Sequence, residues 1–137
     1  MAGKSGTLSS FLAKPTLLVA DDDPMIRRAL RRELGVDFDV LEADGLASAL
    51  RALDDHPGIC AVVSDLDMLG DPGAGLALLD EVRQRLPACA RIMISGSLDS
   101  RSIRVGQILA VTHETFSKPW RSGEVLATLR RLTTPRA

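Results

Sequence analysis

The sequence predicts a doubly wound α/β fold, in which five parallel strands alternate with five helices and the helices cover both faces of the sheet. Short apolar runs of strand length recur along the chain from Thr16 onward, and segments with an apolar residue at every third or fourth position lie between them. Glycine, proline and an N-capping aspartate separate the two kinds of segment. Strands that alternate with helices form parallel sheets buried on both sides, so this order of segments indicates one layered α/β domain.

The strands are placed at the apolar runs and the helices at the periodic segments between them. The predicted strands are residues 16–20 (TLLVA), 38–42 (FDVLE), 60–64 (CAVVS), 91–94 (RIMI) and, with the weakest pattern, 113–117 (HETFS). Asp23 followed by Pro24 predicts the start of the first helix, and Gly35 predicts its end. The fourth helix, at residues 99–109, has the least regular pattern because Gly106 interrupts it.

Composition excludes several classes of protein. The chain has 137 residues, a formal net charge of -1 and two cysteines, which predicts one domain without a disulfide framework. The nearly balanced charge gives no general attraction to nucleic acid or anionic membrane, and no apolar run approaches the roughly 20 residues that span a bilayer. We therefore expect a soluble cytoplasmic protein that binds neither membrane nor nucleic acid directly. We expect a flexible N-terminal extension at residues 1–15, the domain at residues 16–134 and a tail at residues 135–137.

Ionisable and polar residues follow four of the predicted strands. Strand one leads into Asp21 and Asp22, strand three into Asp65, strand four into Ser95 and strand five into Lys118. In open parallel sheets, ligands bind beyond the carboxyl ends of the strands, so we expect the chemistry at this edge.

Clustered carboxylates repel one another and call for a cation. The sequence offers hard oxygen ligands and nothing soft nearby, which favours Mg²⁺. An aspartate beside Mg²⁺ can attack phosphorus and form an aspartyl phosphate, while a lysine and a hydroxyl stabilise charge on the transferring oxygens. Lys118 and Ser95 can supply those two groups.

Four segments in this order resemble the receiver domains of two-component response regulators. They are LLVADDDPMIRRAL, VVSDLDMLG, IMISGSLD and FSKPW, and the resemblance covers about residues 16–132. It implies a flavodoxin-like (βα)5 fold with strand order 2-1-3-4-5. It also implies a signalling switch that catalyses only its own phosphorylation and autodephosphorylation, rather than an enzyme acting on an external substrate.

The resemblance assigns roles around the acidic residues. It implies that Asp65 is the phosphoacceptor and a metal ligand, and that Asp22 binds Mg²⁺ or Mn²⁺ directly. It implies that Asp21 acts through bound water, and that the backbone carbonyl of Asp67 is a further ligand.

The remaining roles concern the transferred group and the output. The resemblance implies that Ser95 and Lys118 stabilise the phosphoryl group, and that Gly96 keeps the site open to a phosphodonor. It implies a cis peptide bond before Pro119, which would aim Lys118 inward.

The sequence departs from the family pattern at several positions. The switch aromatic usually lies three residues before the lysine, but Thr115 occupies that position and Phe116 follows it. The usual Met-Pro-Gly is Met68-Leu69-Gly70 here, and the loop that follows it is about two residues longer. We interpret the glycines of residues 70–75 only as loop punctuation, because they match neither a dinucleotide loop nor a P-loop.

The resemblance also implies partners. A sensor histidine kinase, a phosphotransfer protein or a small phosphodonor would supply the phosphoryl group. Phosphorylation would alter the face formed by the fourth helix, fifth strand and fifth helix, which can also form a homodimer. The sequence does not name the output domain or the downstream protein.

Two other functions stay open at this stage. One is a receiver-like docking or dimerisation module that does not depend on phosphorylation, for which Thr115 is the argument. The other is a phosphatase of the haloacid dehalogenase type, which Asp65-Leu66-Asp67 resembles. Chain order disfavours the phosphatase, because that family has its nucleophile on the first strand.

Basic residues and histidines have simpler interpretations. Arginines at 27, 28, 31 and 32 form a face on the first helix, which is either solvated or a kinase-docking surface. We interpret His56 and His113 as ordinary solvated residues rather than phosphorelay histidines.

Overall fold

A computed structural model gives the architecture of the chain and describes residues 13–96 and 105–134. Most of the expected extension, the tail at residues 135–137 and the start of the expected fourth helix lie outside the described residues. The boundaries expected for the domain therefore stay predictions, although the first strand begins at Thr16.

The described residues form five strands and five helices. The strands are β1 (Thr16–Ala20), β2 (Asp39–Ala43), β3 (Ala61–Ser64), β4 (Ala90–Ser95) and β5 (Glu114–Ser117). The helices are α1 (Pro24–Leu34), α2 (Leu46–Asp55), α3 (Ala74–Arg85), α4 (Val105–Val111) and α5 (Glu124–Thr133). Each strand lies within one residue of its predicted run at both ends.

The strands pair in parallel in the order β2-β1-β3-β4-β5. The predicted α/β fold and its strand order are confirmed. Because every strand runs in the same direction, the residues that follow β1, β3, β4 and β5 lie along one edge of the sheet.

Two apolar cores lie on the two faces of the sheet. Val62 faces a core shared with α2, α3 and α4, whereas its neighbours Ala61 and Val63 face a core shared with α1 and α5. This alternation is the two-residue period of a strand buried on both faces. Helices pack on both faces of the sheet, and the strand ends therefore set where the residues that follow them lie.

The first helix begins and ends where the sequence predicts. The side chain of Asp23 accepts a hydrogen bond from the backbone N–H of Met25 at 2.9 Å, and Pro24 occupies the first turn. Gly35 follows the last helical residue. Capping by Asp23 leaves the two preceding aspartates available for other contacts.

No helix among the described residues is both long enough and apolar enough to cross a lipid bilayer.

Candidate functional site

The sheet itself fixes the positions of three charged residues at its carboxyl edge. The backbone N–H of Asp21 donates to the carbonyl of Ala43 at 3.0 Å, and that of Asp65 donates to the carbonyl of Ala20 at 2.9 Å. The N–H of Lys118 donates to the carbonyl of Ser95 at 3.1 Å. These bonds continue the hydrogen-bond ladders of the sheet beyond the ends of the strands. The sheet therefore sets the backbone positions from which the three side chains extend.

Lys118 joins two of the carboxylates. Its Nζ lies 2.8 Å from Oδ2 of Asp21 and 3.0 Å from Oδ2 of Asp65. The Asp21 side chain is 2% exposed, that of Asp65 is 11% exposed and that of Lys118 is 20% exposed. The ammonium group of Lys118 therefore pairs with two carboxylates in a largely buried site, where hydrogen bonds between ionised groups are strong.

Burial and pairing act in opposite directions on these charges. Burial raises the pKa of the Asp21 carboxyl, although the hydrogen bond from Lys118 opposes the rise. Burial lowers the pKa of Lys118, but the two carboxylates together outweigh it and the net pKa is raised. The charged form of Lys118 is therefore favoured, whereas burial disfavours the ionised form of Asp21. An added positive charge, such as a bound cation, would stabilise the ionised Asp21.

Three carboxylates fit a hard divalent cation. Asp21, Asp22 and Asp65 each offer one oxygen, and these oxygens lie within 4.8 Å of one another. All of these donors are oxygen, as Mg²⁺ prefers, and the exposed Asp22 leaves a side open to water. The residues present therefore fit the Mg²⁺ or Mn²⁺ site expected from the sequence.

Backbone contacts orient the acidic side chains before any cation binds. Oδ1 of Asp21 accepts from the N–H of Asp23 at 2.9 Å, and Oδ2 of Asp22 accepts from the N–H of Leu69 at 2.9 Å. Oδ1 of Asp65 accepts from the N–H of Leu66 at 2.8 Å. Each of these three carboxylates thus has one oxygen bonded to a backbone N–H, which limits its rotation.

The loop after β3 is tied to the start of α3. Oδ1 of Asp67 accepts from the N–H of Gly73 at 2.8 Å, and the N–H of Gly75 donates to the carbonyl of Leu66 at 2.7 Å. The side chain of Asp67 therefore stabilises the loop, while its backbone carbonyl keeps the metal-binding role only as a prediction.

Gly75 corrects our interpretation of the glycines as loop punctuation. It lies in the first turn of α3, not in the loop. A Cβ built on it would stand 1.8 Å from the backbone oxygen of Asp65. The helix approaches the Asp65 backbone this closely only because residue 75 has no side chain. Its place in an apolar helical stretch, GAGLALL, was the available signal.

A tight turn replaces the family's usual proline next to Asp22. Met68 and Asp71 pair through hydrogen bonds of 2.9 and 3.3 Å. Leu69 and Gly70 lie between these two residues and have φ angles of 52° and 71°, respectively. Two positive φ values are typical of a type I′ turn, which a proline at position 69 could not form. Leu69 is 65% exposed beside the acidic cluster.

The other predicted site residues lie at the same edge. Ser95 is 2% exposed at the end of β4 and pairs in register with Ser117. A Cβ on Gly96 would meet none of the described residues within 4 Å. The Lys118–Pro119 peptide bond is cis, the isomer that the resemblance implies.

Thr115 and Phe116 face opposite sides of the sheet. Thr115 pairs with Met93, which lies in the core against α3 and α4. Phe116 pairs with Ile94 and packs against the core of α1 and α5. Register partners share a face in a parallel pair. Phe116 therefore cannot stand in for an aromatic side chain at position 115.

The basic face of α1 is only partly free. Nε of Arg27 lies 3.0 Å and Nε of Arg31 lies 2.6 Å from the Glu42 carboxylate on β2. Arg28 and Arg32 are exposed. The solvated interpretation therefore applies to these two and also to Arg31, whose side chain is 51% exposed. Arg27 and Arg31 in addition pair with the sheet edge.

His113 is a structural hydrogen-bond acceptor. Its Nδ1 accepts from the N–H of Arg91 at 2.9 Å, at the edge of the sheet opposite the carboxylates. Burial and the positive charge of Arg91 lower the pKa of this imidazole. The ring is thus held neutral, and it lies far along the strands from the acidic cluster.

Comparison with known proteins assigns the family. The family model described as "Response regulator receiver domain" matches residues 17–130. The chain belongs to this family. The receiver domain therefore carries its carboxylates and lysine in the part of the sequence that the family model covers.

The receiver domain is also similar to individual proteins. It is 37% identical over 117 residues to the hydrogenase transcriptional regulatory protein HoxA of Cupriavidus necator, in a match that covers 85% of this chain and 23% of HoxA. It is 37% identical over 116 residues to the transcriptional regulatory protein KdpE of Mycobacterium tuberculosis, which covers 83% of this chain and 49% of KdpE. The chain therefore spans about a quarter of one relative and about half of the other.

Among solved structures, the receiver domain resembles a response regulator receiver protein from Pseudomonas putida. The TM-score is 0.75 with 28% sequence identity, and the match covers 87% of this chain and 98% of that one. The likeness extends over nearly all of that chain, so the two chains share the same fold.

Proposed function

We propose that this receiver domain is a phosphorylation-dependent switch, in which Asp65 accepts a phosphoryl group in a Mg²⁺-dependent reaction. The supporting observation is the pairing of Oδ2 of Asp65 with Nζ of Lys118 at 3.0 Å. The oxygens of Asp21 and Asp22 lie close enough to share a cation with Asp65.

The transfer needs a nucleophile and a phosphodonor. A carboxylate oxygen of Asp65 attacks the phosphorus, and the bond from phosphorus to the donor's nitrogen or oxygen breaks. The leaving group takes that electron pair. A sensor histidine kinase, a phosphotransfer protein or a small phosphodonor can act as the donor, and the cytoplasm is where we place the reaction.

The residues around Asp65 divide the supporting roles. When bound, Mg²⁺ supplies positive charge that offsets the charge on the transferring oxygens. Asp22, Asp65 and the backbone carbonyl of Asp67 would hold the ion directly, and Asp21 would support it through water. Ser95 and Lys118 donate hydrogen bonds to the new phosphoryl group, and Gly96 leaves room for the donor to approach.

Switching follows from the change in charge at Asp65. Lys118 is now shared between Asp21 and Asp65, and a phosphoryl group would draw it and Ser95 toward the added charge. Ser95 ends β4 and Lys118 follows β5, so this movement bears on the face of α4, β5 and α5. That face is where we place the output partner or a second copy of the chain.

Phosphorylation can be tested directly. The protein is incubated with Mg²⁺ and acetyl phosphate, and its intact mass is measured for the wild type, Asp65→Asn and Asp80→Asn. Asp80 is an exposed aspartate of α3 that pairs with Arg83, which makes it a matched control. We expect one added phosphoryl group in the wild type and Asp80→Asn only. Equal phosphorylation of Asp65→Asn would refute the assignment.

A docking module that does not depend on phosphorylation is the second candidate. The observation that favours it is Thr115, because Phe116 packs on the other face of the sheet and no aromatic side chain fills position 115. Amide spectra with and without beryllofluoride discriminate the two functions. Shifts confined to the loops around Asp65 would favour the docking module, whereas shifts that extend through α4, β5 and α5 would favour the switch.

A further inference from the structure

Glu33, near the end of α1, uses both carboxylate oxygens to hold the segment that follows Lys118. Its Oε1 accepts from the indole N–H of Trp120 at 3.1 Å. Its Oε2 accepts from the backbone N–H of Leu126 at 3.0 Å. Both partners are about 90 residues away in the sequence, so this contact links the first helix to the last.

The last helix needs such a contact because its own cap has no side chain. Gly123 is the N-cap of α5 and makes no side-chain hydrogen bond. Leu126 is the third residue of α5, and the first N–H groups of a helix have no partner within it. Glu33 supplies the missing acceptor from another helix, and its negative charge is favourable at the positive end of α5.

The contact lies two residues from Lys118. The N–H of Lys118 is bonded to the carbonyl of Ser95, which fixes the chain on the strand side. Trp120 packs against the core of α1 and α5 and is bonded to Glu33, which fixes the chain on the helix side. The backbone that carries Lys118 is therefore fixed by contacts on both sides, and the hydrogen bond from Trp120 to Glu33 is one of these contacts.

We propose that Glu33 is a positioning residue for Lys118, acting through Trp120 and the start of α5 to keep the ammonium group on Asp21 and Asp65. This inference rests in part on the proposed function, because Lys118 serves phosphoryl transfer there. Glu33 itself touches neither carboxylate among its described contacts.

Loss of the Glu33 contacts should change the phosphorylation rate and the Mg²⁺ affinity in opposite directions. When Lys118 leaves its position, phosphorylation of Asp65 slows, since a misplacement of about 1 Å in an active site can cost on the order of 100-fold in rate. Withdrawal of the positive charge also leaves the carboxylates more attractive to Mg²⁺, by roughly fivefold or more in affinity. A general loss of structure would instead weaken both.

The chain offers a matched control in Asp37. Its two carboxylate oxygens bond Arg130 of α5 at 2.6 and 3.0 Å, so it also joins the region after α1 to the last helix. Asp37, however, pairs near the end of α5 that is remote from Lys118. Asp37→Asn therefore removes a tie between the same two parts without altering the hold on Trp120.

The experiment compares Glu33→Ala, Glu33→Gln, Trp120→Phe and Asp37→Asn with the wild type in the full chain. Three quantities are measured: the Mg²⁺ dissociation constant by calorimetry, the phosphorylation rate with acetyl phosphate, and the rate at which an amine reagent labels Lys118. Lys118 is one of three lysines, so peptide mass spectrometry can follow it alone. Trp120→Phe retains an aromatic ring but lacks the N–H donor.

We expect faster labelling of Lys118, tighter Mg²⁺ binding and slower phosphorylation in Glu33→Ala and Trp120→Phe, with a smaller change in Glu33→Gln. Asp37→Asn should match the wild type in all three. Unchanged labelling of Lys118 in Glu33→Ala overturns the inference. The same changes in labelling, Mg²⁺ binding and phosphorylation in Asp37→Asn would also overturn it. If the wild type is not phosphorylated at all, the proposed function fails, while labelling and Mg²⁺ binding still decide the role of Glu33.

Discussion

Gly75 and Asp65 are in direct backbone contact: a Cβ on Gly75 would stand 1.8 Å from the main-chain oxygen of Asp65 and 2.9 Å from Cα of Leu66. The N–H of Gly75 also donates to the carbonyl of Leu66 at 2.7 Å. The start of α3 is thus fitted against the peptide that presents the Asp65 carboxylate. Packing of this helix and geometry of the acidic cluster are therefore linked.

Gly75→Ala should destabilise the protein and slow phosphorylation of Asp65. The added methyl group must displace backbone rather than a flexible side chain, so we expect a loss of about 2–3 kcal/mol in the free energy of unfolding. Chemical denaturation measures it. Gly106→Ala is the control, because a Cβ at this exposed position in α4 would meet no atom within 4 Å in the part of the chain that the structure describes. It should be neutral or raise stability by up to about 1 kcal/mol. Equal effects of the two substitutions would contradict the packing argument.

Mg²⁺ should stabilise the wild type through Asp22. A cation that binds only the folded state raises the free energy of unfolding by about 2.7 kcal/mol at 100 times its dissociation constant. Asp22→Asn removes one of the three clustered carboxylates and should abolish most of this gain, as measured by thermal unfolding with and without Mg²⁺. Asp80→Asn should keep the full gain. A Mg²⁺ effect that survives in Asp22→Asn would place the ion elsewhere.

Asp21→Asn should raise stability at neutral pH in buffer without divalent cations. The folded pKa of Asp21 is raised above its ordinary value of 3.8, chiefly by burial. The folded state therefore binds more protons than the unfolded chain just above pH 3.8, and stability declines as pH rises through the raised pKa. Replacing the charge by an amide removes that decline. The gain should shrink as pH falls toward 3.8, and a gain that is independent of pH would contradict this cause.

His113 should make the protein less stable as pH falls below about 6.5, within the usual titration range of histidine. Burial and Arg91 lower its folded pKa below the ordinary value of 6.5. The neutral ring therefore contributes stability that is present above pH 6.5 and is lost as pH falls toward the lowered pKa. The effect is small because the residue is exposed and solvent screens its charge. His113→Asn should flatten the pH dependence in this window, and denaturation midpoints from pH 7.5 to 5.5 provide the measurement.

The elements with strong local signals could be predicted from the sequence. Apolar runs identified all five strands, and the Asp23-Pro24 pair located the start of α1. The carboxylates could be placed together because each follows a strand of one parallel sheet. The strand topology alone therefore predicts that Asp21 and Asp65 lie at one edge of the sheet, and no side-chain contact is needed for this prediction.

Features that depend on contacts between distant residues were missed. Nothing near Glu33 in the sequence indicates bonds to Trp120 and Leu126, since those partners lie about 90 residues away. The interpretation of Gly75 was wrong because its need for a missing side chain comes from the backbone of Asp65, not from its own neighbours. Composition and periodicity describe local preferences, whereas these constraints arise only when the helices pack on the sheet.

The opposite orientations of Thr115 and Phe116 were within reach of the sequence. Successive residues of a strand point to opposite faces, so only one of the two side chains can face α3 and α4. The two-residue period therefore suffices to place Phe116 on the side of α1 and α5 once Thr115 is placed on the other.

Trp120 also has a practical consequence. It is the single tryptophan of the chain, and it lies two residues beyond Lys118 with its indole N–H bonded to a carboxylate. All indole fluorescence from the native chain therefore reports on one place, the contact between Glu33 and the segment that follows Lys118. The domain carries its own optical probe, with which stopped-flow mixing can follow cation or phosphodonor binding without a label.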